Sequence, residues 1–254
     1  MTNLTRDSIH PSDTDTTSEL CLKLNAALLK NQIQMMQDLQ ASGADGLAVL
    51  MEFLRDRSAN APDSTTASLP AQSEVDLAAG KAYQLLRSAN SALATEFLQT
   101  HFPTGVVPLR SQVGIDYAPL QTLLAAQDFL AADQLTLQKL CELAGAAAVQ
   151  RKWIYFSEVE QLPVTDLQTI DALWLVHSEG KFGFSVQREI WLGINKDWSK
   201  LWTKIGWQTG NTWTRYPQAF TWNLTAPKGH LPLSNQLRGV RAIASLLAHP
   251  AWIK

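Results

Sequence analysis

Apolar residues recur three and four apart through most of this chain, and glycine and proline, not alternation, interrupt the recurrence. That pattern restricts the chain to packed helices with short breaks, because only a 3.6-residue period gathers such positions on one face. Leu20, Leu24, Ala27 and Leu28 form a first stripe from Ser18 onward. Ile33, Met36 and Leu39 form a second, and Leu47, Leu50 and Leu54 a third, punctuated by Gly43 and Gly46. Short helices joined this tightly resemble helical-repeat units. Helicity resumes with Val75, Ala78, Ala82 and Leu85, and again from Leu93 to Leu98.

The breaks set the expected boundaries. Residues 1–17 are polar and are expected to form a disordered tail. Residues 18–100 form an N-terminal helical domain, interrupted at 58–72 by a small, polar segment with Pro62 and Pro70 that reads as a mobile loop. Residues 101–115, with Pro103, Gly105 and Pro108, form a connector of extended character. A second domain covers 116–254. Its helices are expected around Tyr117–Leu124, from Phe129 to a stop at Gly145, after a capping box at Ser157 and Glu160, from a Thr165 cap to Gly180, from Ser185 through Trp191, and around Trp198–Ile205. Thr212 to Leu224 lacks a helical period, so the alternative to an all-α fold is α+β with a small hairpin near 207–224. Ser234 is placed to cap a last helix, with Val240, Ile243, Ala244 and Leu247 on one stripe and Arg238 and Arg241 opposite.

Much chemistry is excluded. There is no Gly-x-x-x-x-Gly-Lys-Ser/Thr phosphate loop and no Gly-x-Gly-x-x-Gly. Phe182-Gly-Phe-Ser-Val is not a nucleophile elbow, since Gln187 stands where the second glycine belongs, and Ser185 reads as a helix cap. Glu158 with Glu160, and Asp166 with Asp171, read as capping and dipole complements. His177, His230 and His249 show no metal-pair spacing, and no metal site is expected. Cys21 and Cys141 lie far apart in apolar helical patterns, as buried free thiols of a reducing compartment. A formal charge of −2 argues against nucleic-acid binding. No apolar run reaches the roughly 18–20 residues of a membrane span, and Met1–Asp7 has no hydrophobic signal core.

What remains is a binding module. Seven of the nine tryptophans fall between residues 150 and 215, more than a small core usually needs, so some are candidates for a concave apolar surface. Two guanidinium groups beside aromatic side chains suit a flat apolar ligand with carboxylates at its edge, although a lone arginine pair on a surface helix is more simply read as solvated.

The second domain also carries a set of motifs: Leu140-Cys-Glu-Leu-Ala-Gly145, Gln150-Arg-Lys-Trp153 with Tyr155-Phe156, Asp166-Leu-Gln-Thr-Ile170, His177-Ser-Glu-Gly-Lys-Phe-Gly-Phe-Ser-Val-Gln-Arg188, Lys204-Ile-Gly-Trp207, Asn211-Thr-Trp-Thr-Arg215 and Ala226-Pro-Lys-Gly-His-Leu-Pro-Leu233. From about 114 to 252 it resembles the genomes-uncoupled-four family of tetrapyrrole-binding proteins. Val49-Leu-Met-Glu-Phe53 and Thr104-Gly-Val-Val-Pro108 are similar to the N-terminal helical domain of the cyanobacterial members.

The resemblance implies an all-α protein: a helical-bundle or repeat-like domain, then an all-helical, cup-shaped porphyrin-binding domain. The implied ligands are protoporphyrin IX and Mg-protoporphyrin IX, bound non-covalently. The implied partner is the large porphyrin-binding subunit of magnesium chelatase, stimulated in chlorophyll biosynthesis without catalysis by this chain. Carried over by motif, the ligand contacts are Phe156, Val159, Phe220, Asn235, Leu237, Arg238 and Arg241, with Tyr216 at an aromatic position where some members have Trp. The chain is expected to be a monomer in the cytoplasm, with a peripheral association at thylakoid membranes. A helical scaffold holding a partner helix is the other open reading, and a covalent bilin carrier ranks last, because Cys141 sits inside a helical pattern.

Overall fold

The computed structural model describes residues 11–59, 75–233 and 240–253. Helix α1 spans Pro11–Ala26, α2 Leu29–Ala41, α3 Ala44–Ala59, α4 Leu77–Ser88 and α5 Ala92–His101. Residues 11–17 are therefore helical rather than a disordered tail. The apolar stripe that marks the helix in sequence begins only later. Cys21 and Leu24 enter the core, but Leu28 is 79% exposed. The chain turns after Ala26, where Ala27 N–H meets Leu24 O, so Leu28 precedes α2 instead of continuing α1. Gln32 fills that turn by donating to Leu24 O at 3.0 Å.

The α3 helix is the centre of this half, with Leu50, Phe53 and Leu54 fully buried among α1, α2 and α4. Ser58 and Ala59, expected in a mobile loop, are helical in α3. The rest of that expected loop lies outside the described residues. Asp76 caps α4, accepting Ala79 N–H at 2.8 Å, and one Arg57 nitrogen donates to both of its carboxylate oxygens.

After a non-helical connector come α6 (Ala118–Ala125), α7 (Phe129–Ala144), α8 (Ala146–Arg151), α9 (Phe156–Val159), α10 (Val164–His177), α11 (Phe184–Gly193) and α12 (Trp198–Lys204). Then follow β1 (Gln208–Thr209), β2 (Thr212–Trp213), α13 (Val240–Ala248) and a 3-10 turn at Pro250–Trp252. The hairpin pairs Gln208 with Trp213 and Thr209 with Thr212. Two residues per strand leave the fold all-α. Gly145 ends α7 as the sequence predicts, at φ +102°.

The expected caps at Thr165, Ser185 and Ser157 are not the ones the fold uses. Thr165 lies inside α10, and Asp166 is buried, accepting from Ser111 Oγ, from Gln112 N at 2.9 Å and from Tyr117 Oη at 2.8 Å. It pins the connector to α6 and α10. Ser185 does not cap α11 either; Asp171 accepts its backbone N–H at 2.9 Å. The α9 turn begins two residues earlier than a Ser157 cap implies, at Tyr155, with Glu158 accepting Tyr155 N–H at 2.7 Å and held by Arg151.

The two halves meet where α4 crosses α10. Gly80 lies directly on Val176: a Cβ there would fall 2.3 Å from Val176 Cγ1 and 2.6 Å from its carbonyl oxygen. Lys81 pairs with Glu179 at 2.8 Å, and Gln84 donates to His177 O at 3.0 Å. His177 is buried beside Tyr83, with neither ring nitrogen hydrogen-bonded among the described residues. Burial, helped by Arg87, pushes its pKa down to about 3, so the ring is neutral. No helix among the described residues is long and apolar enough to cross a membrane.

Candidate functional site

The tryptophans fill the core more than they line a cup. Trp191, Trp198, Trp202 and Trp207 form a ladder with successive ring centroids 4.9, 5.3 and 5.5 Å apart, the last pair 4° from parallel. The ladder binds α11 and α12 to the hairpin, and Trp213 lies against Trp202 at its half-exposed end. Trp174 is fully buried, its indole N–H donating to Thr136 Oγ1 at 3.0 Å. Trp207 donates to His230 O at 2.8 Å. His230 in turn accepts Thr221 N–H on Nε2 at 3.2 Å, which leaves Nδ1–H to donate to Ile205 O at 2.6 Å. Its burial, lowering the pKa, keeps that tautomer neutral. This histidine is a brace, and among the described residues no cluster of His, Cys, Asp or Glu could hold a metal ion.

The predicted ligand contacts fall into two groups. Phe156 and Val159 stand on α9, which packs against α13. Phe156 is 40% exposed, and the Arg241 guanidinium carbon lies 5.6 Å from its ring centroid. That places a cation over an accessible aromatic face. Val159 is fully buried, so it supports Phe156 from beneath and offers no surface of its own. Ile243, Leu246 and Leu247 form the buried face of α13, whereas Val240, expected on that stripe, is exposed.

The second group follows β2. Tyr216 is 41% exposed, and Phe220 is 5% exposed. They meet edge-on at 6.2 Å, and Trp222 completes the cluster 5.8 Å from both rings. Phe220 also lies against His230, 5.0 Å between centroids. Tyr216 is thus the accessible aromatic surface, and Phe220 its packed support. Asn235, Leu237 and Arg238, with the Ser234 cap, lie outside the described residues, in the segment between Leu233 and Val240 that joins the two groups in sequence.

Sequence reasoning missed a third element, which meets the chain at Leu233. Asp133 on α7 is buried and accepts Leu233 N–H at 2.6 Å. Burial pushes the Asp133 carboxyl up to about 7, against the pull of the Leu233 hydrogen bond. The signal was present in the sequence: Asp133 falls on the same helical face as Phe129, Thr136 and Leu140, where an apolar residue is expected.

A separate cavity of about 940 Å³ opens in the N-terminal half, lined by Leu20, Met51 and Phe97 together with Asp45, Glu52 and Glu96. Three carboxylates against Arg55 make it a poor host for a ligand with carboxylates at its edge. The α9–α13 surface instead presents an exposed cation, Arg241, over the accessible Phe156 ring, with the opposite charge to that acidic cavity.

Comparison with known proteins places both halves. Residues 110–250 match the GUN4-like family model, and residues 9–103 match the ARM-like repeat domain of the GUN4 N-terminus. A Ycf53-like protein of Synechocystis is 49% identical over 238 residues, covering 94% of this chain and 97% of that one. A chloroplastic protein of Arabidopsis thaliana, named as tetrapyrrole-binding, is 41% identical over 142 residues, 52% of this chain and 54% of that one. The solved structure of GUN4 from Chlamydomonas reinhardtii superposes with a TM-score of 0.55 at 42% identity, covering 58% of this chain and 95% of that one. A helical-repeat half joined to an all-helical half whose motifs and fold match GUN4 makes this chain a member of the GUN4-like, or genomes-uncoupled-four, family.

Proposed function

We propose that this protein binds protoporphyrin IX and Mg-protoporphyrin IX non-covalently and stimulates magnesium chelatase, presenting porphyrin to its large porphyrin-binding subunit without turnover of its own. The observation that carries the reading is the exposed Phe156 ring with the Arg241 guanidinium above it. A porphyrin offers two apolar faces and two propionates. One face would bury Phe156 and Tyr216, gaining roughly 25 cal/mol per Å² of apolar area, while Arg241 and Arg238 would meet the propionates through charge-assisted hydrogen bonds. The name of the Arabidopsis relative supports a tetrapyrrole as ligand. Contact on one face alone would leave the second face free for transfer. In the Mg-porphyrin, a water or protein oxygen would fill the metal's fifth position, and no histidine of this chain is needed there.

The delivery step is tested by assaying magnesium chelatase at limiting protoporphyrin with and without this protein. The initial rate is expected to rise, and the gain to shrink as porphyrin approaches saturation. Equal rates at limiting porphyrin would contradict it. A partner captured equally with and without porphyrin would favour a scaffold role instead.

A further inference from the structure

We infer that the cavity of the N-terminal half is a groove that takes a basic amphipathic helix of a protein partner, at a site separate from the porphyrin surface. Helices α1 and α5 both pack on α3, and the walls of the cavity of about 940 Å³ come from these three helices and the end of α2. Asp45, Ala48, Glu52 and Arg55 line it from α3. Spaced three and four apart, they share one face of that helix and span about 15 Å, nearly three turns. Leu93 and Phe97, four apart, line it from α5.

The groove is formed before any partner arrives. Gly46 seats α3 against the end of α2: a Cβ there would fall 1.8 Å from Leu39 O and 2.3 Å from Ser42 Oγ. Val49, Met51 and Phe97 belong to the core, so the depth of the groove is set by packing. Leu20 and Leu39 are half-buried, and Leu93 is 59% exposed, leaving apolar surface to cover. The charge is uncompensated. Asp45 and Glu96 form no ion pair among the described residues, and Glu52 accepts from Ser18 Oγ at 3.4 Å without a cation. Arg55 pairs with none of the three; its guanidinium carbon lies 5.5 Å from the Phe97 ring centroid. His101 lies against the same ring, 4.8 Å between centroids. Apolar lining of this length, with carboxylates set along it, suits a helix whose leucines recur three and four apart and whose lysines or arginines flank them. A second copy of this groove would set carboxylates against carboxylates, so the chain itself is the wrong occupant.

The test titrates the full chain with a fluorescein-labelled peptide of leucine and lysine, its leucines three and four apart, and reads fluorescence anisotropy. The controls are the same residues in an order that breaks the spacing and a leucine–glutamate peptide of the same pattern. The ordered lysine peptide is expected to bind saturably, and both controls about tenfold more weakly or worse. Glu52→Gln with Glu96→Gln should weaken its binding about tenfold, the range of two exposed charge pairs, and Leu93→Ala about threefold. Neutralising two carboxylates of the other half, Glu189→Gln with Asp116→Asn, should leave the affinity unchanged. Each of these side chains is exposed or half-exposed, and circular dichroism checks the folding of each variant. No saturable binding to the wild type, wild-type affinity in the Glu52, Glu96 variant, or an equal loss in the Glu189, Asp116 variant would overturn the inference. So would tighter binding once residues 1–10 are removed, which would give the groove to the chain's own N-terminus. A dimer in gel filtration that Glu52→Gln with Glu96→Gln shifts toward monomer would give it to a second copy and overturn it equally.

Discussion

Asp133→Asn is expected to make the protein more stable at pH 8, by an amount that shrinks steadily as the pH falls toward 4. The sign follows from where each state binds its proton. Unfolded, Asp133 titrates near 3.8; folded, it is pushed up to about 7. Between those values the folded state holds a proton that the unfolded state has released, so wild-type stability from this group falls as pH rises through the window. At about 1.4 kcal/mol per unit of separation, ionised Asp133 costs the fold on the order of a few kcal/mol above pH 7. Asparagine removes that cost and keeps the acceptor for Leu233. His177 acts in the opposite sense. Its folded pKa of about 3 lies below the unfolded 6.5, so its contribution is fully present above pH 6.5 and is lost as pH falls toward 3. Near pH 5 the two groups offset each other in the wild type. The Asn variant keeps only the His177 side of that balance, and its urea midpoint should fall more steeply between pH 7 and 4.5 than the wild-type midpoint does. Parallel midpoints across that range would show that Asp133 is not the titrating group.

Gly80→Leu is expected to unfold the joint between the halves, lowering stability by about 3 kcal/mol and Tm by roughly 6–12 °C. The site has no room for even one carbon, and the obstruction includes backbone. Two helices meeting through a glycine cannot separate without breaking the neighbouring Lys81–Glu179 pair and the Gln84 bond to His177 O. Gly80→Ala isolates the clash. In an open helix this change would stabilise by about 1 kcal/mol, so a loss of stability here measures the contact with Val176. A variant with higher Tm would show that α4 and α10 tolerate a wider crossing.

The helices were legible wherever a period of 3.6 ran into a glycine or proline, as at Phe129–Ala144 before Gly145. The expected caps were not: Asp171, not a local side chain, serves the Ser185 N–H, and the α9 box forms on Tyr155 and Glu158 in place of Ser157 and Glu160. Leu28 and Val240 fit their stripes on paper, but a turn after Ala26 moves the first out of its helix, and the second is exposed on α13. For the site, residue identity alone separated neither the exposed Phe156 and Tyr216 from the buried Val159 and Phe220, nor the tryptophans of the core ladder from a ligand surface. Those distinctions depend on which face the tertiary contacts cover. Asp133 broke an apolar stripe in plain view, and only the position of Leu233 gives that break a meaning.

The most direct test of the central claim is a protoporphyrin titration followed by tryptophan fluorescence, comparing wild type with the Arg238→Ala, Arg241→Ala double variant. Trp222 lies 5.8 Å from Tyr216 and should report a porphyrin seated there. The account predicts saturable quenching in the wild type and an affinity weaker by about 1–3 kcal/mol in the double variant, the value of charged hydrogen bonds to the propionates. Wild-type fluorescence unchanged at tens of micromolar porphyrin, or equal affinities in the two proteins, would contradict it.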